Sequence, residues 1–309
     1  MEEIKSNLII LGSGPAGCTA AIYAARSNIN PIMIHGNQPG GQLTITTDVE
    51  NYPGFSKAVQ GPNLMEEMIN QAQNVGCKVF NDNIIDIDLD KPPFILKSSN
   101  DRHYITKSII IATGASAKWL GLPNEEIYRG HGLSACATCD AFFFKNKVVA
   151  VVGGGNTAVE EALFLTKFAD KVILIHRRDK LRAEKILQQR AFNNNKISFL
   201  WDSVITDVFG SKNPTHLKGI KVKSLIRKNE TTIDINGLFV AIGHKPNTDL
   251  FKNKLVLDEE GYLKVTNQVF TSKPGIFAAG DVHDKVFRQA VTAAGFGCMA
   301  ALEAEKYLS

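Results

Sequence analysis

Two cysteines three positions apart, Cys136 and Cys139 in SACATCDAFF (134–143), carry the sharpest chemistry in the chain. Two intervening residues let a disulfide close where the backbone allows, and a dithiol at that spacing can take up and release two electrons. Structural zinc is one rival: it needs four ligands, while the neighbourhood adds only His131 and there is no second CxxC. A pair of inert thiols is the other. The expectation is a dithiol–disulfide that exchanges electrons, with no metal site.

Two glycine-rich segments offer phosphate chemistry. GSGPAG, comprising Gly12, Ser13, Gly14, Pro15, Ala16 and Gly17, follows the apolar NLIIL and opens a helical stretch that runs to about Ser27, with NPIMI behind it. Strand, glycine turn, helix and strand make a dinucleotide-binding βαβ unit. Gly12 makes the turn, Gly14 admits a pyrophosphate, Gly17 lets helix and strand approach, and the helix N-terminus turns amides toward phosphate. A glycine turn that merely joins two core elements is the bland alternative; the flanking strand and helix argue against it. A second copy follows KVVAVV: Gly153 and Gly155 take the first two glycine positions, Asn156 and Thr157 come next, and Ala158 takes the third. After the strand KVILIH there is no acid for a ribose. HRRDKLRA places His176, Arg177, Arg178 and Arg182 there instead, and guanidinium forks suit the extra phosphate of NADPH. A merely solvated basic run is less favoured, because this is where cofactor charge is read. The first copy also lacks the acid and ends in His35–Gly36, so GSGPAG alone does not name its cofactor.

Later segments echo both copies. IIIATGASAKWLGLP (109–123) and LFVAIGHKPNT (238–248) read as strands ending in glycine turns. GIFAAGDV (275–282) reads as a further strand with Asp281 past its carboxyl edge, where open α/β sheets hold ligands. A helix is expected over 288–308 with Arg288 and Gln289 in its first turn. Residues 62–75 read as helix, and 83–107 and 213–235 as short strands. GIFAAGDV completes the first sheet only if the domains are nested. The expected fold is therefore α/β, with two nested Rossmann-like dinucleotide-binding domains in a three-layer ββα architecture. The first domain takes residues 1–115 and 246–309; the inserted domain takes 116–245 and carries the CxxC.

The 309 residues suffice for two domains. A net charge of +4 does not call for nucleic acid, and no apolar run is long enough for a membrane span. MEEIKSN leads straight into LIILG with no signal-type block, so the fold is expected to begin at once, inside a cell. Two dinucleotide sites and a redox disulfide make a circuit. Nicotinamide gives up a hydride, a disulfide accepts two electrons, and an intermediary of the flavin kind must join them.

The chain resembles the low-molecular-weight, bacterial-type thioredoxin reductases along essentially its whole length. The resemblance lies in GSGPAG, GGQL (40–43), ENYPG (50–54), ATGA (112–115), CATCD (136–140), GGGNTAVEEA (153–162), HRRD (176–179), AIGHKPNT (241–248), FAAGDV (277–282) and RQA (288–290). Many members carry Gly after CATCD where this chain has Ala141, a change that matters only if the position needs positive φ. The resemblance implies FAD in the first domain and NADPH in the inserted one. It gives the pyrophosphate to Gly12–Gly17 and the adenosine end to His35 and Gly36. Flavin contacts fall to Gly40, Gly41, Gln42 and Asn51, the ribityl chain to Asp281, and the isoalloxazine to Arg288, Gln289 and Ala290. It makes Cys139 the flavin-facing thiol, Cys136 the nucleophile toward oxidised thioredoxin and Asp140 the proton donor. It also implies a cytoplasmic homodimer whose inserted domain swings between two arrangements. A reductase of another protein disulfide and a nucleotide-responsive redox-sensing module are the alternatives. A ferredoxin reductase would have no use for the CxxC.

Overall fold

The computed structural model describes residues 2–45 and 48–309. The chain forms two compact units, Met1–Ser116 with Lys245–Ser309 and, inserted between these segments, Ala117–His244.

The first unit opens with β1 (Glu2–Leu11), α1 (Pro15–Arg26), β2 (Ile32–Ile34), α2 (Gly61–Asn74), β3 (Lys78–Phe80), β4 (Ile84–Asp88), β5 (Phe94–Ser98) and β6 (Arg102–Ile111). The inserted unit holds β7 (Leu133–Ser134), α3 (Ala137–Asp140), β8 (Val148–Val152), α4 (Asn156–Leu165), β9 (Lys171–Ile175), α5 (Lys185–Phe192), β10 (Ile197–Leu200), β11 (Ser203–Lys212), β12 (Thr215–Ser224), β13 (Glu230–Asp234) and β14 (Gly237–Val240). β15 (Ile276–Ala278) and α6 (Ala290–Leu308) return to the first unit.

In the first unit the sheet order is β3-β2-β1-β6-β5-β4, with β15 also pairing β6. β6 serves two neighbours on one edge. Its first half pairs antiparallel with β5, and its second half pairs parallel with β15 through Ile109, Ile110 and Ile111. Successive strand side chains point to opposite faces, and here both faces are covered. Leu8 and Ile10 join the core beneath the helices, while Ile9 and Leu11 join a second core that includes Phe94, Leu96, Phe251 and Leu263. That two-sided burial explains the unbroken apolar run of β1. Cys18 and Cys77 sit in the helix-side core as free thiols, and burial raises both to about 12.

In the inserted unit the parallel sheet runs β7-β14-β8-β9-β10, with β11-β12-β13 as a separate antiparallel layer. Val149 and Val151 face the helices, while Ala150 and Val152 face the core shared with Val208, Ile220 and Val222. Both units are thus α/β, with helices packed on parallel strands; the first extends its sheet with antiparallel β5 and β4, and the inserted unit adds a separate antiparallel layer. No helix among the described residues is long and apolar enough to cross a membrane.

The last helix starts later than its sequence pattern suggests. Asp284 Oδ1 accepts the amides of Val286 and Phe287, which ties this stretch into a turn. Arg288 has φ +49°, and Gln289 is the N-cap, so neither lies in the first turn.

Candidate active site

GSGPAG joins β1 to α1 under tight backbone constraints. Gly12 has φ +105°, and a Cβ there would lie 2.2 Å from Ala112 O. A Cβ at Gly17 would lie 1.9 Å from Gly12 O, so helix and turn touch backbone to backbone. Gly14 differs: it is the N-cap of α1, and nothing lies within 4 Å of where its Cβ would be. Pro15 occupies the first turn, where its missing N–H costs nothing. Ala16 is buried. Buried Ser13 accepts the amide of Gly40 through Oγ at 2.9 Å, and a Cβ at Gly41 would come 3.6 Å from Gly14 Cα. The 40–41 turn therefore lies over the phosphate-type loop. His35 and Gly36 follow β2, with His35 Nδ1 2.8 Å from Gly36 O. Gln42 is exposed, and Asn51 Nδ2 donates to Gln289 Oε1 at 3.5 Å. Ala290 begins α6.

Asp281 lies just past β15. Burial raises its carboxyl to about 7; Asp284 adds to the shift and Arg288 opposes it. Buried Asp284 Oδ2 and His283 Nε2 have no hydrogen-bond partner. An open helix N-terminus beside a cradle of glycines, together with a buried carboxyl able to bond hydroxyls, fits the diphosphate and polyol of a dinucleotide. Asp284 and His283 escaped the sequence reading because they are polar residues outside the motifs it singled out.

These contacts separate stability from binding. Gly17→Ala forces a backbone collision and should cost about 3 kcal/mol, read as a lower urea midpoint at unchanged slope. Gly14→Ala, at φ −67° with open space beyond, should stay within about 0.5 kcal/mol yet weaken dinucleotide binding.

The second loop repeats the pattern. Gly153 has φ +155°, and its Cβ would lie 2.4 Å from Ala241 O and 2.7 Å from Cβ of Ala158, which is fully buried. Gly155 caps α4 and is open like Gly14. Asn156 Oδ1 accepts the Glu184 amide at 2.8 Å, and Thr157 is half-buried. His176 is 4% exposed, with its ring where a Cβ of Gly154 would be; Cε1 is 2.2 Å from that point. Burial lowers its pKa, and Arg182 and Arg178 lower it further. The imidazole is therefore a neutral spacer under the loop, with buried Nε2 lacking a partner. Arg182 N donates to Gly154 O at 2.7 Å and folds the basic segment over the loop. Arg177, Arg178 and Arg182 are exposed, and none forms an ion pair among the described residues.

Cys136 and Cys139 form a disulfide with Cα atoms 5.4 Å apart at the start of α3. Cys139 is exposed and Cys136 half-buried. Cys136 N donates to Ser134 Oγ at 3.0 Å. Burial raises the pKa of the Asp140 carboxyl next to Cys139, against a hydrogen bond with Ser134 that lowers it. Ala141 has φ −56° and is buried; the backbone here has no need of glycine. Phe142 is 58% exposed beside the pair. Among the described residues no group of His, Cys, Asp or Glu is arranged to hold a metal.

Residues 6–297 match the family model described as pyridine nucleotide-disulphide oxidoreductase. The chain is similar to the thioredoxin reductase of Rickettsia conorii, with 56% identity over 308 residues covering 99% of each chain. It is similar to that of Escherichia coli O157:H7, with 51% identity covering 98% of this chain and 96% of the other. It also resembles the crystal structure of thioredoxin reductase from Streptococcus pyogenes MGAS5005, with a TM-score of 0.93, 41% identity and 98% of both chains covered.

Proposed function

This chain belongs to the pyridine nucleotide-disulphide oxidoreductase family and, within it, to the bacterial-type thioredoxin reductases, and from that premise we propose that it moves electrons from NADPH through FAD and the Cys136–Cys139 disulfide to oxidised thioredoxin. The carrying observation is a formed disulfide in the same unit as a dinucleotide loop flanked by three unpaired-in-charge arginines. When bound, FAD accepts the hydride of NADPH and passes two electrons on to the disulfide.

The protein's own groups do the rest. In the segments 1–115 and 246–309, Gly12–Gly17 hold the pyrophosphate and His35–Gly36 border the adenosine. Gly40, Gly41, Gln42, Asn51, Asp281, Arg288, Gln289 and Ala290 orient the remainder. In 116–245, Gly153, Gly155, Asn156 and Thr157 hold the diphosphate of NADPH. Arg177, Arg178 and Arg182 bind its extra phosphate, with His176 setting the height of the loop. Once the pair is reduced, the Cys136 thiolate attacks the thioredoxin disulfide and expels one thiolate. Cys139 then attacks Cys136 of the mixed disulfide, the second thioredoxin thiolate leaves, and Cys136–Cys139 re-forms. Asp140 supplies a proton during thiol release, a role that its burial-raised carboxyl supports. The enzyme works as a cytoplasmic homodimer without nucleic acid or membrane.

An anaerobic NADPH titration followed by oxidised thioredoxin tests the circuit. The yellow protein should bleach and then recover its colour. A colourless protein, or one that stays bleached with thioredoxin, would reject the proposal. Asp140→Asn should keep the disulfide but slow thioredoxin reduction by roughly 10²–10⁴, measured by stopped flow.

A further inference from the structure

Asn156 opens α4 directly after the second glycine loop, where a polar side chain could reach for phosphate, yet the structure commits that side chain elsewhere. Its Oδ1 accepts the Glu184 amide at 2.8 Å, and its Nδ2 donates to Glu184 Oε1 at 3.4 Å. Two residues back along each segment, Arg182 N donates to Gly154 O at 2.7 Å. The stretches 154–156 and 182–184 therefore run side by side and are tied at both ends. Leu181 and Ala183, on either side of Arg182, are buried in the helix-side core of the unit. Gln188 Nε2 donates to Ala183 O at 2.6 Å and secures the turn into α5. The apolar neighbours set the depth of the basic segment, and the two ties set its position along the loop. Arg182 itself is exposed. The main-chain amide of Asn156, in the first turn of a helix, has no partner within that helix and stays available to an anion.

We propose that Asn156 is a positioning residue for donor selectivity: its side-chain amide latches the Arg182 segment onto the glycine loop, so that Arg182 is held where the extra phosphate of NADPH arrives. This rests on the basic segment reading that phosphate. A cation fixed before its ligand binds has less freedom to lose on binding, and only the nucleotide with the extra phosphate benefits. Without the latch, the segment keeps its bond to Gly154 but is loosened at the Glu184 end.

The test is the binding of NADP+ and NAD+ to the holoenzyme by titration calorimetry. Asn156→Ala removes both latch bonds. It should weaken NADP+ by about fivefold and NAD+ by less, so the preference between them falls. Glu184→Pro cuts the same latch from the other side. That residue has φ −57°, which proline adopts, and proline has no N–H to donate. It leaves Asn156 in place and should lower the preference to a similar extent, which gives a second readout should Asn156→Ala fold poorly. In an Arg182→Ala background neither change should lower the preference further, since the latch acts through that guanidinium. Equal weakening of both nucleotides in Asn156→Ala would put the side chain to work on the diphosphate instead and overturn the positioning role. An unmoved preference in Glu184→Pro, or an undiminished fall in the Arg182→Ala background, would overturn it too. Unaltered enzyme that binds NADP+ and NAD+ alike would instead overturn the reading of the basic segment, and the inference with it.

Discussion

Serine in place of either Cys136 or Cys139 is expected to lower thioredoxin turnover by about 10⁴-fold or more, the scale of loss when a catalytic nucleophile is removed. Both variants should still let NADPH bleach the flavin, because hydride delivery precedes disulfide chemistry. They should part company over the partner. Cys139→Ser keeps Cys136, the proposed nucleophile, but loses the thiol that resolves the adduct. Offered thioredoxin whose exposed cysteine carries an activated leaving group, it should accumulate a mixed disulfide visible by mass spectrometry. Cys136→Ser should trap far less. Of the two residues, Cys139 is exposed and Cys136 half-buried. Trapping by Cys136→Ser alone would reverse the two roles, and normal turnover in both variants would remove the disulfide from the mechanism.

Replacing Arg177 and Arg178 together by alanine should raise KM for NADPH by roughly 10²–10⁴ and leave kcat nearly unchanged. A charge-assisted hydrogen bond contributes about 1.5–3 kcal/mol, and each ~1.4 kcal/mol is tenfold in binding. A lost uniform binding interaction appears in KM. NADH, which has no extra phosphate, should respond little. Steady-state kinetics with both donors decide it. Equal efficiency of NADPH and NADH in the unaltered enzyme would show that the basic segment reads no phosphate. High salt should narrow the preference, because these guanidinium groups are exposed.

What was legible in the sequence was what local spacing decides. Gly12, Gly17 and Gly153 announce themselves through the strand–turn–helix pattern around them, although the backbone that a Cβ at Gly12 or Gly153 would strike belongs to distant Ala112 and Ala241. GIFAAGDV reads as a strand in need of a sheet, and β15 pairs β6. What escaped depends on distant partners. Nothing in the string shows that β6 divides its edge between β5 and β15. Nor does it show that His176, set among arginines, turns inward beneath Gly154 while they point to solvent. The start of α6 was misjudged because apolar periodicity ignores the Asp284 turn that precedes it.

The two silent thiols of the helix-side core give this enzyme an internal gauge. Reduced protein whose trade is sulfur exchange would be compromised by stray thiolates of its own. At a pKa of about 12, roughly one in 10⁵ of the Cys18 or Cys77 thiols is ionised at pH 7, and both lie out of reach of water. Alkylation of folded, reduced enzyme therefore reaches Cys136, Cys139 and the half-buried free Cys298 before Cys18 and Cys77. Cys18 and Cys77 join the count only when α1 and its sheet come apart. Mass added at those two positions marks damage to the unit, while mass added at the CxxC marks its oxidation state, so one labelling reaction separates an enzyme that has been reduced from one that has been broken.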